Sequence, residues 1–85
     1  MAELVDMEQQ WQAADSIRTV AEALWHQVWD LHFDATQGVF RLELSGHLNE
    51  EDAMTLCYQF PYPADYDGEG RHGSCYIIGP VLKEQ

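Results

Sequence analysis

The sequence predicts a single α+β domain, in which an N-terminal amphipathic helix packs on a four-stranded antiparallel meander sheet. Apolar residues recur with a helical period in the first third of the chain, and they alternate with polar residues in several later segments. The chain has 85 residues, which suffices for one small domain, and no repeat or linker-like stretch divides it. Residues 1–85 are therefore expected to fold as one unit.

The helix is predicted at residues 7–27. Asp6 is its expected N-cap, and Gln9 three residues later completes a capping box. When residues are placed 100° apart, apolar and polar side chains separate onto opposite sides. The apolar side comprises Met7, Ala14, Ile17, Ala21, Leu24, Trp25 and Val28, with Trp11 at its edge. The pair Asp15 and Ser16 offers a second starting point, so two shorter helices are the alternative.

Four strands are predicted at residues 29–34, 39–45, 53–60 and 74–79. Apolar and polar residues alternate in these segments, which is the period of a half-buried strand. Gly38 lies in the short turn between the first two strands and can supply a positive φ. Pro80 ends the last strand, because proline has no N–H to donate to a neighbour. Segments 46–52 and 61–73 are predicted loops.

One face of the predicted sheet is polar. Its residues are Asp30, His32, Asp34, Arg41, Glu43, Thr55 and Gln59. If the helix covers only the other face, this face meets water, a polar partner or its copy in a second subunit. Asp30, His32 and Asp34 share one side of a strand and would hold a divalent ion if His47 or His72 lay close. A solvated strand face is the alternative.

Acidic residues outnumber basic ones by 15 to 4, so the formal charge at pH 7 is −11. This charge argues against direct binding of nucleic acid or of an anionic membrane, because like charges repel. No apolar run approaches the roughly 20 residues of a membrane span, and the acidic start is not a secretory signal. A cytoplasmic protein is expected, with Cys57 and Cys75 as free thiols on neighbouring strands.

Residues 65–70 resemble the opening of an EF-hand calcium loop. Asp65, Asp67 and Glu69 would supply oxygens at loop positions 1, 3 and 5, and a glycine follows at position 6. The segment departs from the family at position 12, where Tyr76 replaces the bidentate glutamate, and its flanks are predicted strands. The resemblance implies calcium at these three carboxylates, and an acidic surface loop without any cofactor is the alternative.

No motif for catalysis is present: the chain lacks GxSxG and lacks the Lys-Ser/Thr of a phosphate-binding loop. We therefore expect a protein that is not an enzyme and assign no catalytic residue. In size, charge and lack of such a motif the chain is similar in type to small phage-encoded inhibitors, such as anti-CRISPR proteins, and to bacterial immunity proteins that cap a toxin nuclease. It carries no motif of either group.

The expected function is that of a small acidic protein-binding module for a partner with a basic surface, such as a nucleic-acid-binding protein or a nuclease. Carboxylates would take the place of phosphates and steer association in a salt-dependent way. The expected contact residues are Glu8, Asp15, Glu22, Glu50, Glu51, Asp52, Tyr62, Asp65, Tyr66, Asp67 and Glu69. Tyr62 and Tyr66 belong to a proline-stiffened loop, and their packing onto the core is the alternative. A homodimeric domain that binds a small ligand or a metal, as in orphan proteins of mobile elements, is the second hypothesis.

Overall fold

The computed structural model describes residues 7–80 and confirms the α+β class with a four-stranded antiparallel sheet. A second helix joins the predicted elements. The order along the chain is α1 (Met7–Ala23), β1 (Val28–Asp34), β2 (Val39–Leu44), α2 (Glu50–Cys57), β3 (Ala64–Glu69) and β4 (Ser74–Ile78). No helix within residues 7–80 is long and apolar enough to cross a bilayer.

The strands lie in the order β1-β2-β4-β3, and every neighbouring pair is antiparallel. β1 and β2 form one hairpin, and β3 and β4 form another. The predicted meander is wrong in this respect, because β4 and not β3 lies beside β2. The long connection from β2 to β3 carries α2, and this connection is what separates the two hairpins in the chain.

Helix α1 is shorter than predicted and ends at Ala23 instead of residue 27. Its buried residues are Ala13, Ile17 and Ala21, a narrow stripe of positions four apart. Trp11, placed at the edge of the apolar side, is 69% exposed. The predicted N-cap, Asp6, lies outside the described residues.

The strand predicted at residues 53–60 is wrong, because Glu50–Cys57 forms helix α2. Asn49 is the N-cap, and its side-chain oxygen accepts the Asp52 N–H at 2.8 Å. The acidic residues of the first turn are favourable at a helix N-terminus. The segment's apolar residues also follow the helical spacing i, i+3, i+4, i+7, and the buried ones are Ala53, Leu56, Cys57 and Phe60.

Strand β3 occupies part of the segment predicted as a loop at 61–73. Its residues alternate in exposure, with Asp65 and Asp67 exposed and Tyr66 half-buried against the core. A bulge follows Tyr66, so that Glu69 pairs with Ser74 of β4. Strand-favouring residues are few here, and pairing with β4 is what makes the segment a strand.

The core lies between one face of the sheet and both helices. It is a single cluster formed by Ala13, Ile17, Ala21, Phe40, Leu42, Leu44, Ala53, Leu56, Cys57, Phe60, Tyr76 and Ile78. Because residues of α1, α2 and the strands belong to the same cluster, both helices cover the same face of the sheet. The opposite face has no helix over it within residues 7–80.

Candidate functional site

The face of the sheet turned away from the helices, here called the open sheet face, is rich in carboxylates. Since side chains alternate along a strand, it consists of the neighbours of the buried positions. These residues are Asp30, His32 and Asp34 of β1, Arg41 and Glu43 of β2, Asp65 and Asp67 of β3, and Cys75 and Ile77 of β4. Thr55 and Gln59, which were predicted on this face, belong to the α2 region instead.

Strand register arranges these residues in rows across the sheet. Asp30 pairs with Glu43, which pairs with Cys75. The next row is His32, Arg41, Ile77 and Asp65. Neighbouring strands are about 4.8 Å apart, so each row brings residues far apart in sequence within reach of one binding partner.

A shallow cavity of about 170 Å³ opens on this face. It is lined by Asp30, His32, Arg41, Leu42, Glu43, Asp67, Cys75 and Tyr76. Three of these residues are carboxylates and one is a guanidinium. The cavity therefore favours positively charged groups over negative ones.

Part of the negative charge on the open sheet face is paired within the protein. The Asp34 carboxylate accepts the Arg41 Nε–H at 3.1 Å, and His32 Nδ1 lies 2.7 Å from the Asp30 carboxylate. Hydrogen bonding from Thr36 and then from Arg41 holds the pKa of Asp34 below its usual range. These pairs leave a surplus of carboxylates on the face.

Glu43 is fixed by the turn between β3 and β4. Its Oε2 accepts the His72 backbone N–H at 2.7 Å and lies 3.3 Å from His72 Nδ1. The His72 ring stacks on the exposed Trp29 with centroids 3.9 Å apart. Trp29 borders the open sheet face, where a bulge between Val28 and Asp30 shifts the register.

Asp65 and Asp67 differ from the other carboxylates of this face. Neither side chain has a hydrogen bond or an ion pair within residues 7–80. Both are exposed on the edge strand β3. Their charges are therefore available to a partner without breaking an internal contact.

The calcium-loop geometry suggested by residues 65–70 is not formed. This segment is mostly the strand β3, in which Asp65 and Asp67 lie on the open sheet face. Glu69 lies beyond the bulge and contacts the buried Ser74. Within residues 7–80 no group of three His, Cys, Asp or Glu side chains is placed to hold a metal ion.

Glu69 is held in a local network. Ser74 Oγ donates to its carboxylate at 2.8 Å, His47 Nδ1 lies 2.6 Å away, and the Tyr66 hydroxyl donates to it as well. The bond from Tyr66, followed by those from His47 and Ser74, lowers the pKa of Glu69. The same bond raises the pKa of Tyr66 to about 12. Glu69 is therefore committed to internal contacts.

The other predicted contact residues lie on separate parts of the surface. Glu8, Asp15 and Glu22 are exposed on α1, and Glu50, Glu51 and Asp52 are exposed in the first turn of α2. Tyr62 and Tyr66 are half-buried and pack against the core. The predicted set is thus divided between the two helices, β3 and the connection before β3 that contains Tyr62, and only Asp65 and Asp67 of the set lie on the open sheet face.

The two cysteines are free and lie in different surroundings. Cys57 is in the core below the sheet, and Cys75 lines the cavity of the open sheet face. They are not on neighbouring strands as predicted, since Cys57 belongs to α2. Burial raises the pKa of each thiol, and Glu43 and Asp67 raise that of Cys75 further. A raised pKa disfavours the reactive thiolate.

Comparison with known proteins gives no match: no family model, no curated protein and no solved structure is significantly similar to this chain.

Proposed function

We propose that the chain is a non-enzymatic acidic protein-binding module whose open sheet face covers a basic surface of another protein. A nucleic-acid-binding protein or a nuclease is the partner class, with carboxylates of the module in the positions that phosphates would take. An inhibitor or an immunity-type protein acts in this way.

The observation that supports the proposal is the charge balance of the open sheet face. Among its strand residues within 7–80, five are carboxylates and Arg41 is the one arginine or lysine, while the exposed Arg71 lies in the neighbouring turn, next to the His72 that binds Glu43. The carboxylates are Asp30, Asp34, Glu43, Asp65 and Asp67. Such a density of like charge on one side of a small domain is unfavourable for folding, and a cationic partner relieves the repulsion.

The aromatic border adds a second kind of contact for a basic partner. Trp29 is exposed and lies beside Glu43 through its stacking on His72. Tryptophan is the side chain whose ring face attracts lysine and arginine most strongly. A partner arginine that reaches this border would meet both an aromatic face and a carboxylate.

The same charge argues against the sheet-to-sheet homodimer considered from the sequence. Two open sheet faces in contact would place five carboxylates of each copy against one another, which is strongly repulsive unless the groups are neutralised. A small cationic ligand in the 170 Å³ cavity is compatible with the lining residues, but the charge extends beyond this cavity to Asp65 and Asp34. A protein partner with a basic surface would contact the whole open sheet face, including the carboxylates outside the cavity.

The test is affinity capture from the native host with quantitative mass spectrometry. The bait carries Asp65→Asn and Asp67→Asn, which remove two unpaired charges with little change of shape. The matched control carries Glu8→Gln and Asp15→Asn on α1, so that both baits lose the same charge. Capture is compared at about 50 mM and about 300 mM salt.

We expect the wild-type and control baits to retain the same basic protein at low salt, and the sheet variant to lose it. Capture should weaken at high salt for both binding baits. Equal loss in the two double variants would mean that only net charge matters, and it would refute a defined site on the open sheet face. Capture of no basic protein at low salt would refute the proposal as a whole.

A further inference from the structure

His72 carries a buried polar atom that the fold leaves without a hydrogen bond. Its ring nitrogen Nδ1 is the one buried side-chain nitrogen or oxygen within residues 7–80 that has no hydrogen-bond partner. The Glu43 carboxylate faces this atom, with Oε2 3.3 Å away. Buried polar atoms are normally paired, so an unpaired one at the edge of a charged face calls for an explanation. The rest of the ring is partly exposed, so it can exchange a proton with water.

The charge state of His72 decides what it offers to Glu43. In one form of the neutral ring, Nδ1 carries no proton and its lone pair is directed at a carboxylate oxygen. Protonation places a hydrogen on both ring nitrogens, so Nδ1 becomes a donor and the ring becomes a cation beside Glu43. Histidine side chains ordinarily change charge between about pH 5 and pH 8. A modest fall in pH therefore converts this contact into an ion pair.

The Trp29 indole favours the protonated ring from its other side. It stacks on His72 with centroids 3.9 Å apart and an interplanar angle of 17°. The face of an indole attracts a cation placed over it. A charged His72 is thus held between an aromatic face and a carboxylate.

Trp29 and Glu43 are also the two groups that the proposed function offers to an arginine of a basic partner. We propose that protonated His72 is an internal substitute for this arginine, so that the open sheet face binds a basic protein near neutral pH and releases it as the pH falls. This inference rests on the proposed function and adds its regulation. The proton and the partner compete, because one positive charge at Glu43 removes much of the attraction for a second.

The other charged and titratable groups around Glu43 line the same cavity or lie in the turn. They are Asp30 and His32 of β1, Arg41 of β2, Asp67 of β3, Cys75 of β4, and Arg71 beside His72. His32 lies 2.7 Å from the Asp30 carboxylate and also gains a proton as the pH falls, so it acts in the same direction as His72. Burial raises the pKa of Cys75, which therefore stays uncharged. The comparison of single variants separates His72 from His32.

Proton linkage fixes the sign and the limit of the effect. Partner binding displaces a proton from His72, so the affinity for the partner rises with pH. One displaced proton changes Kd by at most about tenfold per pH unit. A steeper dependence in the wild type than in a variant without the imidazole is the signature of this competition.

Calorimetric titration of the full chain with a synthetic peptide of alternating arginine and glycine tests the inference at constant low salt, from about pH 7.5 to about pH 5.5. The decisive variant is His72→Gln. The matched control is His26→Gln, because His26 lines a separate cavity away from the open sheet face. We expect Kd to rise by about tenfold or more over this range for the wild type and the control, and by at least about threefold less for His72→Gln.

NMR of the free protein tests the same contact without any partner. The indole N–H resonance of Trp29 should shift with the same midpoint as the His72 ring, and this shift should be absent in His72→Gln. Separate midpoints for the two rings, or an equal pH dependence of Kd in the wild type and His72→Gln, would overturn the inference and leave the proposed function intact. A peptide that does not bind at about pH 7.5 would instead contradict the proposed function, and this inference with it.

Discussion

The Tyr76 hydroxyl donates a hydrogen bond to the Ala53 carbonyl at 2.9 Å, and this buried contact joins β4 to α2. The Tyr76 ring also contacts Phe60 and Tyr66, with centroids 5.8 and 5.7 Å away. Burial raises the pKa of Tyr76 well above its usual value. Tyr76, on an inner strand of the sheet, therefore positions α2, the helix in the connection between β2 and β3.

Tyr76→Phe is expected to lower the free energy of unfolding by about 1 kcal/mol, because it removes a buried hydrogen bond and keeps the ring packing. Urea denaturation measures the change. Tyr58→Phe is the control, since Tyr58 is 80% exposed and its loss of a hydroxyl should leave the midpoint unchanged. Equal midpoints for the wild type and Tyr76→Phe would contradict the structural role given to this bond.

Glu69→Gln is expected to bring the pKa of Tyr66 down from about 12 toward the ordinary value near 10, because the charged acceptor of the tyrosine proton is lost. Ultraviolet absorbance of the phenolate during an alkaline titration follows this change. The control is Asp67→Asn, which removes a nearby charge that has no bond to Tyr66. A Tyr66 titration that is unchanged in Glu69→Gln would contradict the contact.

The contact between Glu69 and Tyr66 also makes the free energy of unfolding depend on pH. Folding shifts the pKa values of the two groups in opposite directions. The pKa of Glu69 is lowered by folding, so its contribution is present above the unfolded value near 4.3 and is lost as pH falls through the folded value. The pKa of Tyr66 is raised, so its contribution is present below about pH 10 and is lost as pH rises toward 12. The stability difference between wild type and Glu69→Gln should therefore be flat near neutrality and decrease at both extremes.

Gly73→Ala is expected to destabilise the fold by about 2–4 kcal/mol, because backbone leaves no space for a side chain there. A Cβ on Gly73 would lie 2.1 Å from the Leu44 carbonyl oxygen and 2.3 Å from that of Gly46. Gly38→Ala is the control, since its Cβ would meet nothing within 4 Å and only its φ of +69° is unfavourable. That variant should lose about 1 kcal/mol. Chemical denaturation of both variants provides the comparison, and equal losses would refute the close approach.

The first hairpin and β4 were accessible from the sequence because their alternation of apolar and polar residues is unambiguous. Residues 53–60 were not, since the same apolar residues fit both a strand and a helix. The signals that favour the helix were Asn49 as N-cap and the acidic run that follows it. A short segment with two compatible periods is decided by such end signals and by tertiary packing.

Strand β3 could not be predicted from its residues, because aspartate and glycine are depleted in strands. Its pairing with β4 is a long-range effect, and the composition of the open sheet face depends on it. The carboxylates of β1 and β2 were correctly expected on a polar face. Asp65 and Asp67 were predicted as contact residues, but their place beside Glu43 and Ile77 followed only from the register of β3.

Strand β3 also forms one border of the sheet, and its outer backbone groups have no neighbouring strand within residues 7–80. An unpaired border of this kind offers a template to which further chains can add, which is a route to aggregation. Here the irregular register after Tyr66 and the negative side chains on both sides of it make such templating unfavourable. We therefore expect the same carboxylates that lower intrinsic stability to protect a concentrated preparation of the protein from amyloid-like growth.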